Sequence, residues 1–180
     1  RRMRDLPQAR ELLLRGLALV PDYLSFEQNL AYVESEAGNH ELARKLIQGA
    51  EYTKDAKGQG QKATAAAKVE VNAAIMAFGS GSDGYAEPAR AALVHCEAIL
   101  NAVDRQRWQG YAQAMLDNDT RALFHVVVGE LMDDPLNIVL LNQLFDYMPE
   151  DLTLEETASV TEALRRGHGL RTRSRRLGAG

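Results

Sequence analysis

Residues 24–57 read LSFEQNLAYVESEAGNHELARKLIQGAEYTKDAK, and the reading of this stretch decides the fold. Phe26, Leu30 and Val33 recur at steps of four and three, and Leu42, Leu46, Ile47 and Ala50 do much the same further on. That spacing gathers each set on one face of a helix. Between the two runs stands Gly38-Asn39, a pair tolerant of left-handed backbone and suited to ending one helix before the next. Two amphipathic helices joined by so short a turn form a hairpin, and one hairpin cannot bury its apolar faces alone. It needs neighbours of its own kind.

The rest of the chain supplies them. Leu6, Ala9, Leu13, Leu17 and Val20 form an earlier apolar stripe, and two-residue alternation is nearly absent, so the class is all-α. The pattern predicts helices over 6–20, 23–37, 40–53, 61–78, 86–102, 104–116, 119–132, 136–148 and 153–166. Pro21 and Pro135 mark helix boundaries, Asp117-Asn118-Asp119 offers capping side chains, and Thr153-Leu154-Glu155-Glu156 fits a capping box. The turns are regularly spaced: Pro21 to Asp55, Asn101 to Pro135 and Pro135 to Gly169 are each 34 residues, while Asp55 to Asn101 is 46.

A 34-residue helix–turn–helix period is that of the tetratricopeptide repeat, and residues 24–57 resemble that family in detail. Asn29-Leu30-Ala31, Gly38 at the turn, Ala43, Ile47 and Ala50 match its small and large packing residues in order. The resemblance is weaker over 104–170, where Asn118, Leu123, Val127, Pro135, Leu144, Phe145 and Ala158 carry it and Pro149 and Gly167 are expected to shorten the helices. The family's large aromatic is missing at Glu27. The resemblance implies an α-α solenoid of antiparallel helix pairs, wound as a right-handed superhelix. The expected organisation is a repeat domain over 1–166, with an irregular repeat and long loop at 58–103, followed by a basic tail over 167–180.

Net charge is −4, unevenly spread: residues 1–160 hold 15 basic against 24 acidic side chains, and 161–180 hold six Arg against Glu162. The acidic set Asp133, Asp134, Asp146, Glu150, Asp151, Glu155 and Glu156 reads as a solvated face rather than a catalytic carboxylate pair. An acidic body and a basic tail should attract each other, in partial, salt-sensitive docking. A lone Cys96 rules out an intrachain disulfide and points to a cytoplasmic setting. No apolar run reaches the roughly eighteen residues of a membrane span. The chain does not begin with Met, which is compatible with a removed leader or a larger parent chain.

Chemical motifs are few. Gly79-Ser80-Gly81-Ser82-Asp83-Gly84 satisfies G-x-G-x-x-G, with Asp104 as the ribose ligand it would need. A dinucleotide site requires a strand before the glycines, and residues 61–77 are alanine-rich, which favours helix. The segment is therefore expected to be a mobile interhelical loop with no nucleotide. His40, His95, His125 and His168 lack metal-ligand spacing, and Asp117-Asn118-Asp119 lacks the glycine and ligands of a calcium loop. No metal, cofactor or catalytic residue is expected.

The function expected is a non-enzymatic scaffold or adaptor that holds a peptide or helix of another protein in a concave groove. The resemblance implies that the groove is lined by Gln28, Asn29, Tyr32 and Glu36, with Asn142, Gln143 and Asp146 further along. Asn29 matches a residue that the family uses to bond ligand backbone. Gln28 stands where a carboxylate-clamping lysine would, which points to polar or basic ligands. Two other readings remain open: a nucleic-acid-associated or regulatory protein acting through Arg165, Arg166, Arg171, Arg173, Arg175 and Arg176, and the repeat domain of a larger enzyme. Homo-oligomers are compatible with all three.

Overall fold

The computed structural model describes residues 5–177. Among them the chain is all-helical: α1 (Leu6–Leu19), α2 (Leu24–Glu36), α3 (His40–Gly49), α4 (Ala56–Gly79), a 3-10 turn (Asp83–Tyr85), α5 (Ala86–Cys96), α6 (Ala102–Leu116), α7 (Thr120–Asp133), α8 (Ile138–Tyr147) and α9 (Leu154–Leu177). Each predicted helix has a counterpart. The caps explain several boundaries. Asp5, Asp55, Asn101, Asp119 and Asn137 each accept a hydrogen bond from a backbone N–H of the helix that follows, which satisfies donors left free in a first turn. Thr153 and Glu156 form the capping box reciprocally: Thr153 N–H donates to Glu156 Oε2 at 2.8 Å, and Glu156 N–H to Thr153 Oγ1 at 3.2 Å. Gly38 ends the α2 turn with φ of 87°, a backbone that a β-carbon would strain.

The chain divides into two compact units, one ending at Asn118 and the other beginning at Asp119. In the first, α1 packs on α2, α2 on α3 and α4, and α4 in turn on α3, α5 and α6. So α2, α4 and α6 form a row in which each touches the next, and α1, α3 and α5 pair with them. α4 is the hub. Ala63, Ala65, Ala67, Val69, Val71, Ala73 and Ala74 are all buried along it, and at 100° per residue they cover about two thirds of its circumference. A helix buried over so wide an arc needs small side chains for four neighbours to approach. At Gly60 an added β-carbon would lie 2.8 Å from Leu100 Cγ, so a side chain there would push Leu100 aside. Two clusters fill the gaps: Ala31, Ala43, Ile47, Ala65 and Val69, and Ala63, Ala67, Cys96 and Ile99 with Trp108 against them.

In the second unit α7 packs on both α8 and α9. Its core is built from larger side chains: Leu123, Phe124, Val127 and Leu131 from α7, Leu140, Leu144 and Tyr147 from α8, Val160 and Ala163 from α9.

Three expectations are corrected. The long loop expected within the irregular repeat at 58–103 is instead a short connection, α4 running to Gly79 and α5 following through the 3-10 turn. The 46-residue interval arises because α4 is 24 residues long. Second, the single repeat domain over 1–166 is two units. Third, Gly167 does not shorten the last helix. α9 runs through it and through Gly169 to Leu177, so the basic segment from 167 is helical as far as it is described. Gly167 is a packing residue, since a β-carbon there would lie 2.6 Å from Pro135 O.

Candidate functional site

α2 presents Gln28, Tyr32 and Glu36 at four-residue steps, with Asn29 beside them. Asn29 is exposed and the other three are half-buried. Tyr32 packs beside Leu46 and Ala66 on the first core cluster, and the Lys68 ammonium stands 4.1 Å from its ring centroid, a cation–π contact. Burial, with smaller effects from Tyr52 and Asp104, pushes the Tyr32 phenol up to about 12. Gln28 Nε2 donates to Tyr52 Oη at 3.2 Å. Burial raises the Tyr52 phenol, and the bond from Gln28 opposes the rise. Glu27, on the same helix, has its carboxyl raised by burial and then by Asp22 and Glu51.

Asn142, Gln143 and Asp146 lie on α8, in the second unit. Asn142 and Asp146 are exposed. Gln143 is turned inward: its Oε1 is buried without a hydrogen-bond partner. The expected site is thus divided between units, four residues on α2 and three on α8.

The buried carboxylates went unread in the sequence. Glu34 accepts from Arg10 Nε at 2.5 Å and from Asn39 Nδ2 at 2.7 Å. Glu70 is held by both Arg44 Nε and Nη2 at 2.7 Å. Glu156, expected on the solvated acidic face, is only 6% exposed. Arg121 grips it through Nε at 2.8 Å and Nη2 at 2.7 Å, and His125 Nε2 lies 3.1 Å away. The Arg121 bonds and the Thr153 amide hold its carboxyl down to about 2. Each of these acids is paired, as a buried charge must be. A lone glutamate between two valines, Val69-Glu70-Val71, was the available signal.

Around the Glu70–Arg44 pair opens a cavity of about 270 Å³ between α3, α4 and the end of α5. Ile47, Ala66, Val69 and Ala98 supply its apolar surface. Lys62 lines it too, and its ammonium lies 5.8 Å from the Tyr52 ring centroid. None of the seven expected groove residues lines this cavity.

The G-x-G-x-x-G segment follows a helix, not a strand. Gly79 ends α4, Gly81 takes φ of 70°, and Ser82 caps the 3-10 turn through Gly84 N–H. Asp117 accepts from Gln113 Nε2, and Asp119 caps α7, so both are engaged in helix ends. No three His, Cys, Asp or Glu side chains among the described residues are arranged to hold a metal ion. Nor is any described helix long and apolar enough to cross a membrane. Of the arginine-rich set, Arg165 and Arg166 both pair with Glu162 on α9 itself, and Arg166 Nη1 donates to Met132 O at 3.2 Å. The side chains of Arg171, Arg173, Arg175 and Arg176, and with them the expected docking of the tail, lie outside the described residues.

No family model, curated protein or solved structure matches the chain.

Proposed function

We propose that the chain is a non-enzymatic binding module, an α-α solenoid of the tetratricopeptide type that holds a segment of another protein. The observation that carries this reading is the row α2, α4, α6, in which every second helix packs on the next. Stacked helix pairs produce such a row, and it gives one continuous face for an extended ligand to follow. On that face α2 offers an amide at Asn29, a tyrosine ring at Tyr32 backed by Lys68, and the Gln28–Tyr52 pair. A rigid aromatic with adaptable amides beside it suits recognition of polypeptide.

The test is site-specific photocrosslinking in the host cell. A benzophenone amino acid at position 29 is expected to trap one dominant protein. The same group at Glu87, exposed in the first turn of α5 and away from the cavity, is expected to trap it far less. Equal adducts from both positions, or none from position 29, would count against the reading.

A further inference from the structure

The α3–α4–α5 cavity is the one feature of the first unit with a defined chemistry that the α2 face does not use. Its walls carry Arg44, Lys62 and Glu70, two cationic groups against one anionic group. Glu70 is satisfied, because Arg44 binds both its oxygens. The guanidinium also bonds Glu41 through Nη1, which leaves two of its five N–H donors. Among the described residues no carboxylate pairs with Lys62. Its ammonium is left with the face of the Tyr52 ring, 5.8 Å from the centroid. The cavity therefore combines an apolar surface with an unneutralised positive charge.

A site of that kind favours an anion joined to an aliphatic group, because each part desolvates against its complement. At about 270 Å³, it is at the small end of ligand pockets and suits one side chain with its neighbour's carboxylate rather than a whole helix. Gln48 and Gln59 line it and are exposed. Each carries amide donors and an acceptor, the groups that pair with peptide backbone, though Gln59 Nε2 already donates to Thr53 O at 3.3 Å.

We propose that this cavity binds an acidic segment of a partner polypeptide, with an aliphatic side chain over Ile47, Ala66 and Val69 and an adjacent Asp or Glu carboxylate at Lys62. The assignment deepens the binding-module reading and rests on it. It adds a second contact surface, on the α3 side of the hub helix, with a preference opposite to the polar or basic ligands expected at α2.

The test uses the full chain, labelled with nitrogen-15, titrated with a heptapeptide blocked at both ends that carries one leucine between two glutamates in a glycine–serine background. Amide shifts are expected to concentrate on residues 44–48, 59–70 and 95–98. Lys62→Glu should weaken binding at least tenfold and Lys62→Arg by less than threefold, with circular dichroism confirming that both variants fold. A peptide with lysines in place of the glutamates should leave these resonances unmoved. Shifts confined to α2, no shifts at all, or equal response to both peptides would overturn the assignment. So would hexanoate saturating the cavity while the blocked peptide fails to enter, since a free anion would then be the occupant. Crosslinking at position 29 does not depend on this cavity, so the failure of one reading can be told from the failure of the other.

Discussion

α4 in the first unit and α7 in the second are both the helices on which their neighbours pack, yet they do it with opposite materials. α4 is surrounded by α2, α3, α5 and α6 and buries mainly alanine and valine. α7 is flanked by α8 and α9 and buries Leu123, Phe124, Val127 and Leu131. Small side chains let several backbones come close, and the stabilisation is spread over many short contacts. Large side chains fill a wider space between fewer helices, so each carries more of the buried area. The first unit should therefore be sensitive to added volume and the second to lost volume.

Leu123→Ala gives the largest expected effect, a loss of about 2–5 kcal/mol in urea unfolding followed by circular dichroism. A loss well under 1 kcal/mol would mean that α7 can collapse onto the space and does not organise its unit. Ala65→Phe, or Ala43→Phe in the same cluster, is expected to cost about 1–3 kcal/mol through overpacking. A neutral melt for both would end the claim that α4 is closely surrounded. Removing a cap discriminates less. Asp119→Ala takes away the oxygen that accepts from Ala122 N–H at 2.9 Å and should cost about 1 kcal/mol. Acidification should weaken the second unit through Glu156. Glu156 titrates near 4.5 when unfolded and at about 2 when gripped by Arg121. Its contribution is thus complete above pH 4.5 and lost progressively as pH falls through 2. Arg121→Ala should flatten the acid dependence of unfolding between those values. An unchanged slope would mean that the pair adds nothing to it. Finally, an absorbance titration should show Tyr32 ionising at about 12 rather than 10, and Tyr32→Phe should reduce the amplitude of the late phase without altering the fold.

Helix positions were legible in the sequence because the apolar period and the capping residues agreed with one another. Their lengths were less so, and the cause was glycine. The pattern predicts a helix only from 61, past Gly58 and Gly60, and Gly167 is expected to shorten the last one. Each lies within a helix at a point where another part of the chain comes too near for a β-carbon. At Gly58 the neighbour is Thr53, five residues upstream, but the approaches at Gly60 and Gly167 are tertiary facts with no local signature. Partners far apart in sequence were equally hidden: Arg121 and Glu156 are 35 residues apart, and nothing near either names the other. The division after Asn118 resembled any other interhelical turn, since Asn118 with φ of 52° occupies the kind of position that Gly38 does. Of the candidate residues, the placing of Gln28, Tyr32 and Glu36 at four-residue steps along one helix could be read from the sequence. The cavity could not, because its walls come from three helices and its charge balance depends on which cations are already paired.

Cys96 and Trp108 belong to the same cluster beside Ala63, Ala67 and Ile99, and the chain contains no other cysteine or tryptophan. The first unit thus holds its own two reporters, one optical and one chemical. Burial keeps the Cys96 thiol protonated to higher pH than usual, so a thiol reagent must wait for the cluster to open. Indole fluorescence and alkylation rate together time the openings of the first unit, while circular dichroism sums over both. Any gap between the two records would be the second unit melting on its own schedule, visible without a single substitution.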